Sequence, residues 1–476
     1  MRREGVPRCM IAALKSGSGK TTITCGLIRA MQRRGHSLAV MKCGPDYIDP
    51  MFHAQTLGVK TGNLDSYFLD RERLRGLLLR RTEDADFAVI EGVMGYYDGL
   101  GGTTTRASSA EAAEWTETPV LLVVDARGAS VTLVPVLRGV LEADRTHRIG
   151  GLVLNRVSRS FYPTLKALLE EKLGIPVVGH LPEDKSLIVP SRHLGLCSPA
   201  ELEDSRAWAD RLADTLEETV DLDLVEKLAG TAGELKLNET EESAGSAGRE
   251  SGEIARRAFF CPEPAACRVR VAVARDEAFS FVYKENEEML ENMGAEIVPF
   301  SPLHDGHFPD HVAGMILSGG YPELFAEELR RNRAMMEEVG AAVQSGMPTI
   351  AECGGFLYLQ QDLTDKEGRV TPMCGVLSGH GYATDHLVRF GYCEARTRRD
   401  GLFGPAGTVM KGHEFHYYDT TDNGEGMDVR KPVGKRRWTA EVYSDTMAAG
   451  FPHFYYESSP QAVASFLWAC RTYCPE

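Results

Sequence analysis

A short glycine-rich run near the N-terminus combines a lysine with two threonines, which are residue types that bind nucleoside phosphates. The run LKSGSGKTT, residues 14–22, follows an apolar segment and precedes a helical pattern. In this context, backbone N–H groups and the helix N-terminus surround an anion, the lysine reaches the β- and γ-phosphates, and the first threonine hydroxyl binds magnesium. One departure is Leu14, where the usual phosphate-loop pattern has glycine. The predicted nucleotide-binding residues are Gly17, Gly19, Lys20, Thr21 and Thr22.

Two loops that follow apolar strands carry carboxylates. The segment KCGPDYIDPMFH offers Asp46 and Asp49, and the segment AVIEGVMGYYDG offers Glu91 and Asp98. The carboxyl ends of neighbouring parallel strands meet at the edge of the sheet that faces a bound nucleotide, and phosphoryl transfer needs carboxylates there to hold magnesium. The sequence therefore predicts a metal and substrate site formed by these four acids.

A cysteine in the latter half of the chain has the surroundings of a catalytic nucleophile. In MPTIAECGGFLYLQ, Cys353 stands between an apolar strand and an apolar-periodic segment and is followed by two glycines. A sharp strand-to-helix turn of this kind presents the side chain, and the helix N-terminus is expected to lower the pKa of the thiol. The backbone N–H of Gly354 would stabilise an oxyanion, with a second donor at Gly319 or Gly320 in LSGGYPE. The alternative is a buried cysteine with a structural role.

A cysteine nucleophile needs a general base. Residue spacing alone does not select one of the downstream histidines, which are His380, His386, His413, His416 and His453. The pair in GHEFHYYD lacks the spacing of a zinc-binding HExxH motif, so we interpret it as structural or substrate-facing.

The elements that must position these residues follow an alternating pattern. Short apolar runs alternate with helical patterns over the first 220 residues, at 9–14, 37–43, 87–92, 120–126, 151–157 and 177–181. Such alternation predicts a mostly parallel sheet with crossover helices. A second alternating set begins at residue 268, with helices expected over 283–293 and 323–343. Between the two sets the composition shifts to Gly, Ser, Ala, Glu and Thr, which is typical of a linker. We predict domains over 8–228 and 268–476, joined by a flexible linker over 229–267.

Composition and charge exclude several classes of function. The chain has 476 residues, of which 43% are hydrophobic and 25% charged, with a net charge of −15. This charge gives no general attraction for nucleic acid or for an anionic membrane. The apolar stretches are far shorter than the roughly 20 residues that span a bilayer, and the N-terminus lacks a secretory signal. Eleven scattered cysteines fit a reducing compartment, so we expect a cytoplasmic protein.

Taken together, these segments resemble the cobyrinic acid a,c-diamide synthase family, the glutamine-dependent amidotransferases of cobalamin synthesis. The resemblance covers nearly the whole chain and rests on the order of GPDYIDP, GGYPE and AECGG, supported by SGSGKTT, GNLDSYF, IEGVMGYYDG and GHEFHY. It implies an α/β fold with an N-terminal P-loop NTPase domain similar to dethiobiotin synthetase and a C-terminal class I-like glutamine amidotransferase domain. It also implies ATP and Mg²⁺ as cofactors, with glutamine and cobyrinic acid or a related tetrapyrrole as substrates.

The resemblance assigns roles to the candidate residues. It implies that ATP converts a substrate carboxylate into an acyl phosphate, which ammonia released from glutamine through a Cys353 thioester then attacks. The base of that thiol is expected near the C-terminus, which favours His453, with His416 as the second choice. The glutamate that usually follows this histidine by two residues in class I amidotransferases is missing, because Tyr455 stands there. The remaining assignments are metal binding by Thr21, Asp46 and Glu91 and substrate activation by Asp49 and Asp98.

Three alternatives stay open at this point. Related acceptors, such as hydrogenobyrinic acid or sirohydrochlorin, would share the same motifs. A ParA-like assembly ATPase would use Lys15 across a dimer and leave Cys353 idle. A nucleotide-switched binding module would have no glutaminase activity. The resemblance leaves a homodimer open as the assembly.

Overall fold

The computed structural model describes residues 5–187, 199–235 and 268–473, and the chain divides into two compact units, 1–238 and 239–476. Within the described ranges, no helix has both the length and the apolar character needed to cross a membrane. The α/β class predicted from the sequence is confirmed in both units.

The first unit is built on parallel strands with helices between them. Its described strands are β1 (Arg8–Ala13), β2 (Leu38–Cys43), β3 (Lys60–Leu64), β4 (Phe87–Glu91), β5 (Val120–Asp125), β6 (Ile149–Asn155) and β7 (Val177–Leu181). Its described helices are α1 (Lys20–Arg33), α2 (Ile48–Leu57), α3 (Arg71–Arg81), α4 (Ser109–Trp115), α5 (Leu133–Ala143), α6 (Tyr162–Leu173), α7 (Pro199–Thr219) and α8 (Leu222–Ala229).

The seven strands form one parallel sheet in the order β3-β2-β4-β1-β5-β6-β7. Strand β1 is buried along its whole length because it is central and both its faces are covered. The sequence predicted every strand of this sheet except β3. Its residues KTGNL lack an apolar run, and β3 lies at the edge of the sheet, where such a run is not needed.

Helices α1 and α7 pack closely against each other. A Cβ placed on Gly26 of α1 would lie 2.4 Å from Cδ1 of Leu216 in α7, so the two helices approach where there is no side chain. Leu212 of α7 is buried in the same contact.

The guanidinium of Arg8 in β1 donates to the carbonyl oxygens of Thr116 and Ala232, each at 2.9 Å. These bonds attach the segment that follows α8 to the central strand.

The predicted linker over 229–267 begins at the last residue of α8. Its residues 236–267 lie outside the described part of the chain, so the predicted domain boundaries stay predictions.

The second unit combines three sheets. Its described strands are β8 (Val269–Ala274), β9 (Ala295–Phe300), β10 (Gly314–Leu317), β11 (Thr349–Glu352), β12 (Asp362–Thr364), β13 (Val370–Pro372), β14 (Gly381–Ala383), β15 (Arg389–Thr397), β16 (Val409–His416), β17 (Tyr418–Thr420), β18 (Met427–Arg430), β19 (Arg437–Ala440), β20 (Val442–Tyr443), β21 (Met447–Gly450) and β22 (His453–Phe454). Its described helices are α9 (Lys284–Asn292), α10 (Ala326–Arg331), α11 (Arg333–Gln344), α12 (Gly354–Tyr358) and α13 (Pro460–Thr472).

The central sheet of this unit has the order β20-β21-β11-β10-β8-β9, and all its pairs are parallel except β20 with β21. Two further sheets, β13-β12-β14-β17 and β19-β18-β15-β16-β22, are mostly antiparallel. In the second of these, β16 pairs with β22 and sets His413 opposite His453. The sequence did not predict these two sheets.

The prediction of a single helix over 323–343 is wrong. Helix α10 ends before Asn332 and α11 begins after it. The side-chain amide of Asn332 donates to the carbonyl oxygens of Pro302 and Asp305, each at 2.8 Å, and these bonds hold the chain out of helical geometry at that residue.

We predict that Leu212→Ala lowers the free energy of unfolding of the first unit by about 2–5 kcal/mol, because it removes a buried side chain between α1 and α7. Val136→Ala is the control, since Val136 is exposed on α5 and its change is expected to stay within about 0.5 kcal/mol. Urea denaturation followed by circular dichroism measures both. Equal shifts would contradict the packing described for Leu212.

Candidate active sites

The phosphate loop connects β1 to α1 and requires glycine at its last position. Gly19 has φ +96°, and a Cβ placed on it would lie 2.1 Å from Nδ2 of Asn155. That amide donates to the carbonyl oxygen of Ser18 at 2.8 Å, so the end of β6 fixes the loop. Gly17 also has positive φ, +76°, and Thr22 is half-buried in the first turn of α1. This role of Asn155 was not predicted from the sequence.

Lys20, the first residue of α1, is held beside the loop that follows β4. Its ammonium group donates to the carbonyl oxygen of Met94 at 2.6 Å. Burial, together with the nearby charge of Lys42, lowers the pKa of Lys20 to about 8. Asp98, in the same loop, accepts the N–H of Gly95 at 2.9 Å.

Glu91 is the centre of a buried network at the carboxyl ends of β2 and β4. Its Oε1 accepts hydrogen bonds from the Thr21 hydroxyl at 2.7 Å and the Lys42 ammonium at 2.9 Å, while its Oε2 lies 2.9 Å from Nε2 of His53. Lys42 also donates to Oδ2 of Asp49 at 2.6 Å. The structure therefore brings together Thr21, Asp49 and Glu91, which were predicted, with Lys42 and His53, which were not.

The network is charged although it is buried. Burial by itself would raise the pKa of Glu91, but the Lys42 charge and the His53 hydrogen bond hold it well below its usual range. Burial would likewise lower the pKa of Lys42, but the Glu91 and Asp46 charges raise it. Burial would also lower the pKa of His53, but its contacts with Cys25 and Glu91 outweigh burial and raise that pKa to about 10. Each charge is kept by an opposite charge beside it.

Asp46 lies at the rim of this network. Its Oδ2 is 3.8 Å from the Lys42 ammonium, and its Oδ1 accepts the backbone N–H groups of Ile48 and Asp49 at the start of α2. Asp98, in contrast, accepts the N–H of Gly95 in the loop after β4, and its charge acts on Lys20. The structure thus groups three of the four predicted acids and sets Asp98 apart.

The oxygen donors at this edge suit a magnesium ion shared with a nucleotide. Magnesium usually takes one or two carboxylates together with substrate phosphates and water. Thr21, Asp46 and Glu91 supply a hydroxyl and two carboxylates of this kind. Within the described ranges, no three His, Cys, Asp or Glu side chains form a complete metal site by themselves.

A cavity of about 320 Å³ lies at the carboxyl ends of β5 and β6. Gly128, Ser130, Arg156 and Phe161 contribute to its lining, and Arg156 donates to Asp125 at 2.8 Å. Arg156, which lines the cavity, directly follows Asn155, and Asn155 contacts the phosphate loop.

In the second unit, Cys353 occupies a tight elbow between β11 and α12. It has φ +48° and ψ −97°, an uncommon conformation for a residue with a side chain. Its own N–H donates to the carbonyl oxygen of Gly450 at 2.7 Å, and a Cβ on Gly355 would lie 2.1 Å from the carbonyl oxygen of Leu317. Cys353 is 6% exposed. The predicted strand-to-helix elbow is therefore present, and it depends on the glycines after the cysteine.

The turn Gly319–Gly320 contacts both the elbow and His453. A Cβ on Gly354 would lie 2.9 Å from the backbone nitrogen of Gly320, and a Cβ on Gly319 would lie 2.1 Å from Cε1 of His453. Gly320 has φ +157° and approaches the carbonyl oxygen of Ala278 closely. The predicted oxyanion residues Gly320 and Gly354 are thus neighbours, and His453 lies against the same turn.

His453 is a buried, neutral imidazole. Its ring stacks on that of His413 with centroids 5.1 Å apart and an interplanar angle of 22°. Burial, with a further contribution from His416, lowers its pKa to about 3. His416, the second choice of base, stacks on Phe451 and is hydrogen-bonded through Nδ1 to the carbonyl oxygen of Tyr418 at 2.6 Å. The geometry favours His453 over His416.

The expectation that the helix lowers the thiol pKa is wrong for this structure. Burial raises the pKa of Cys353, and the charges of Glu323 and Glu414 raise it further, while the Gly354 N–H acts in the opposite direction. Helix α12 has only five residues, so its terminus is too weak to reverse the effect of burial. The thiol and the imidazole are both uncharged at neutral pH.

Comparisons with known proteins cover nearly the full length. Residues 9–196 match the family model of the CobQ/CobB/MinD/ParA nucleotide binding domain, and residues 270–459 match that of the CobB/CobQ-like glutamine amidotransferase domain. The cobyrinate a,c-diamide synthase of Caldanaerobacter subterraneus subsp. tengcongensis is 36% identical over 98% of this chain and 98% of its own. That of Salmonella typhimurium is 36% identical over 97% of this chain and 98% of its own.

Solved structures are similar to parts of the chain. A glutamine amidotransferase is 18% identical, covers 42% of this chain and 98% of its own, and has a TM-score of 0.29. The MinD cell division protein of Aquifex aeolicus is 13% identical, covers 49% of this chain and 99% of its own, and also has a TM-score of 0.29.

We predict that Gly19→Ala weakens binding of a non-hydrolysable ATP analogue about tenfold or more, a cost of at least 1.4 kcal/mol, because the added methyl collides with Asn155. Gly17→Ala is the matched control, since Gly17 also has positive φ but has open space around it. Calorimetric titration measures both dissociation constants. An equal loss in the two variants would show that backbone conformation, and not the Asn155 contact, sets the requirement.

Proposed function

The chain belongs to the cobyrinate a,c-diamide synthase family and is an amide-forming ligase that uses glutamine, and from this we propose that it amidates the a and c carboxylates of cobyrinic acid with ATP. The observation that carries the proposal is the presence, in one chain, of a phosphate loop beside a buried acid cluster and of a cysteine elbow beside a buried histidine. The two sites correspond to two half-reactions.

The first half-reaction activates a carboxylate. A carboxylate does not react with ammonia because its leaving group would be oxide, so the γ-phosphoryl group of ATP must first convert it into an acyl phosphate. Gly17, Gly19, Lys20, Thr21 and Thr22 would hold the phosphates. The cavity beside Asn155 would take the adenine base.

The acid cluster would serve the metal and the acceptor. Thr21, Asp46 and Glu91 would hold Mg²⁺, which would neutralise phosphate charge when bound. We assign Asp49 and Asp98 to the activation of the substrate carboxylate. Lys42 supports this role, because its ion pairs with Asp49 and Glu91 fix both carboxylates in a buried environment.

The second half-reaction releases ammonia from glutamine. The Cys353 sulfur attacks the amide carbon while its proton passes to His453, and the N–H groups of Gly354 and Gly320 stabilise the oxyanion. The proton then goes to the leaving ammonia, and water hydrolyses the thioester. Free ammonia is mostly protonated at neutral pH, so its release inside the protein delivers the nucleophilic form to the acyl phosphate.

Two alternatives remain distinguishable. Hydrogenobyrinic acid or a sirohydrochlorin could replace cobyrinic acid as the acceptor, and mass spectrometry of a panel of tetrapyrrole acids after incubation with ATP, magnesium and glutamine would identify which one is amidated. A ParA-like assembly ATPase would leave the Cys353 elbow and its glycine turn without a role.

We predict that Cys353→Ala lowers glutamine-dependent amidation by a factor of about 10³ or more, because no other group supplies the thioester. Amidation with added ammonium salt is expected to stay near the native rate, since the synthetase residues are untouched. Chromatographic assay of the amidated product with each nitrogen source measures both. Equal loss with both sources would contradict the role of Cys353.

We predict that Glu91→Gln lowers amidation about 100-fold or more with either nitrogen source, because it removes a charge at the site of phosphoryl transfer. Asp49→Asn is expected to act in the same direction. Asp84→Asn is the control, because Asp84 forms only an exposed ion pair with Lys60. Ammonium-dependent product at the native level in Glu91→Gln would refute its assignment.

A further inference from the structure

Glu352 places a carboxylate beside the imidazole that the proposed glutaminase reaction uses. It is the last residue of β11 and immediately precedes Cys353. Its Oε1 accepts the backbone N–H of Phe454 at 3.1 Å, and its Oε2 lies 3.9 Å from Nδ1 of His453. Both side chains are buried, with exposed fractions of 9% for Glu352 and 2% for His453.

The position where a class I amidotransferase has its orienting glutamate is taken by another residue in this chain. Two residues after His453 stands Tyr455, a buried phenol whose ring packs edge-on against Tyr283 with centroids 5.2 Å apart. A tyrosine side chain has no carboxylate. An acid that orients His453 must therefore come from another part of the fold.

We propose that Glu352 is the positioning residue of the glutaminase site and completes a Cys353–His453–Glu352 triad. Its ionised carboxylate accepts a hydrogen bond from the Nδ1–H of His453, which leaves Nε2 as the nitrogen that takes the proton from the Cys353 sulfur. This inference rests on the proposed glutaminase role of Cys353 and His453.

The packing around His453 makes such a contact effective. The His413 ring covers one side of the imidazole and the Gly319 backbone approaches it closely, so the ring has little freedom to turn. In its ionised form, a carboxylate at Nδ1 selects the tautomer with the free electron pair on Nε2. The 3.9 Å separation observed here is expected to shorten when substrate is bound, as catalytic contacts commonly do.

The charge that forms on His453 during the reaction gives a second reason to assign Glu352 as the positioning residue. The resting thiol and imidazole are both neutral, and transfer of the thiol proton creates an imidazolium in a buried site. An opposite charge within about 4–6 Å favours such a charged form. Burial raises the pKa of Glu352 to about 8, so its carboxyl group is mostly protonated in the resting site, and the imidazolium formed by proton transfer would offset that effect and favour the ionised carboxylate.

Other ionisable groups of this unit surround Glu352 and His453. His413, which stacks on His453, has its pKa lowered by burial and contributes no positive charge. Glu414 lies 3.4 Å from His416 and 3.7 Å from Arg389. Glu441 packs against Gly450, where a Cβ would lie 2.1 Å from its Oε1. Glu352 is a carboxylate that lies within 4 Å of a His453 ring nitrogen itself.

The test compares Glu352→Gln with Glu441→Gln in the full-length protein. Glu441 is a matched control because it is also a buried carboxyl group of the same unit, and it packs on Gly450, the strand partner of Glu352. Glutamine-dependent and ammonium-dependent amidation are measured for each variant. The pH dependence of Cys353 alkylation by iodoacetamide is followed by mass spectrometry of the modified peptide.

In Glu352→Gln we expect glutamine-dependent kcat to fall about tenfold or more, as part of the roughly 10²–10⁴-fold that acid–base catalysis contributes. Ammonium-dependent amidation is expected to stay native, which shows that the protein is folded. The apparent pKa for Cys353 alkylation is expected to rise by about one unit, because the thiolate–imidazolium pair loses its carboxylate. Glu441→Gln is expected to match the native protein in all three measurements.

An unchanged alkylation profile in Glu352→Gln, or native glutamine-dependent activity, would overturn the inference while leaving the proposed function intact. The same alkylation shift in Glu441→Gln would also overturn it, because the effect would then come from any buried carboxylate. Failure of the proposed function has a different signature, namely glutamine-dependent product from Cys353→Ala.

Discussion

The contact of the Gly319–Gly320 turn with His453 on one side and with Gly354 on the other is the constraint on which the glutaminase site depends. Side chains at Gly319 and Gly354 would collide with the His453 ring and the Gly320 backbone, so glycine is required at both positions for this close packing. The conformation of Cys353, with φ +48°, is held by the same close packing. The chemistry proposed for the site is a consequence of this packing.

The synthetase site depends on paired charges, whereas the glutaminase site depends on close backbone contact. Glu91 is fully buried and still ionised because Lys42, His53 and Thr21 contact its two oxygens. Removal of one partner from such a cluster leaves an uncompensated buried charge, which is strongly unfavourable. Both sites lie at the carboxyl ends of parallel strands, where loops converge on one edge of a sheet.

The sequence was most informative where a short segment carries its own geometric requirement. The phosphate loop and the Cys353 elbow were predicted because glycines at fixed offsets follow from backbone conformation alone. Lys42, His53 and Asn155 were missed because their contacts join segments that are far apart in the sequence; Lys42 lies 49 residues from Glu91. The contact of Glu352 with His453 is also between distant segments. Short strands such as β17, with three residues, give no periodic signal, and the break at Asn332 depends on two carbonyl groups of a remote loop. The raised pKa of Cys353 reflects burial by the whole domain, which no local motif encodes.

The coupling of the two half-reactions is the central claim, and isotope transfer tests it most directly. Glutamine labelled with nitrogen-15 in its side-chain amide is incubated with the protein, ATP, magnesium and cobyrinic acid in the presence of excess unlabelled ammonium, and the tetrapyrrole is analysed by mass spectrometry. The account predicts a product in which both new amides carry the label, because ammonia released at Cys353 reaches the acyl phosphate without mixing with the solvent pool. Unlabelled amides, or an unamidated tetrapyrrole, would contradict it.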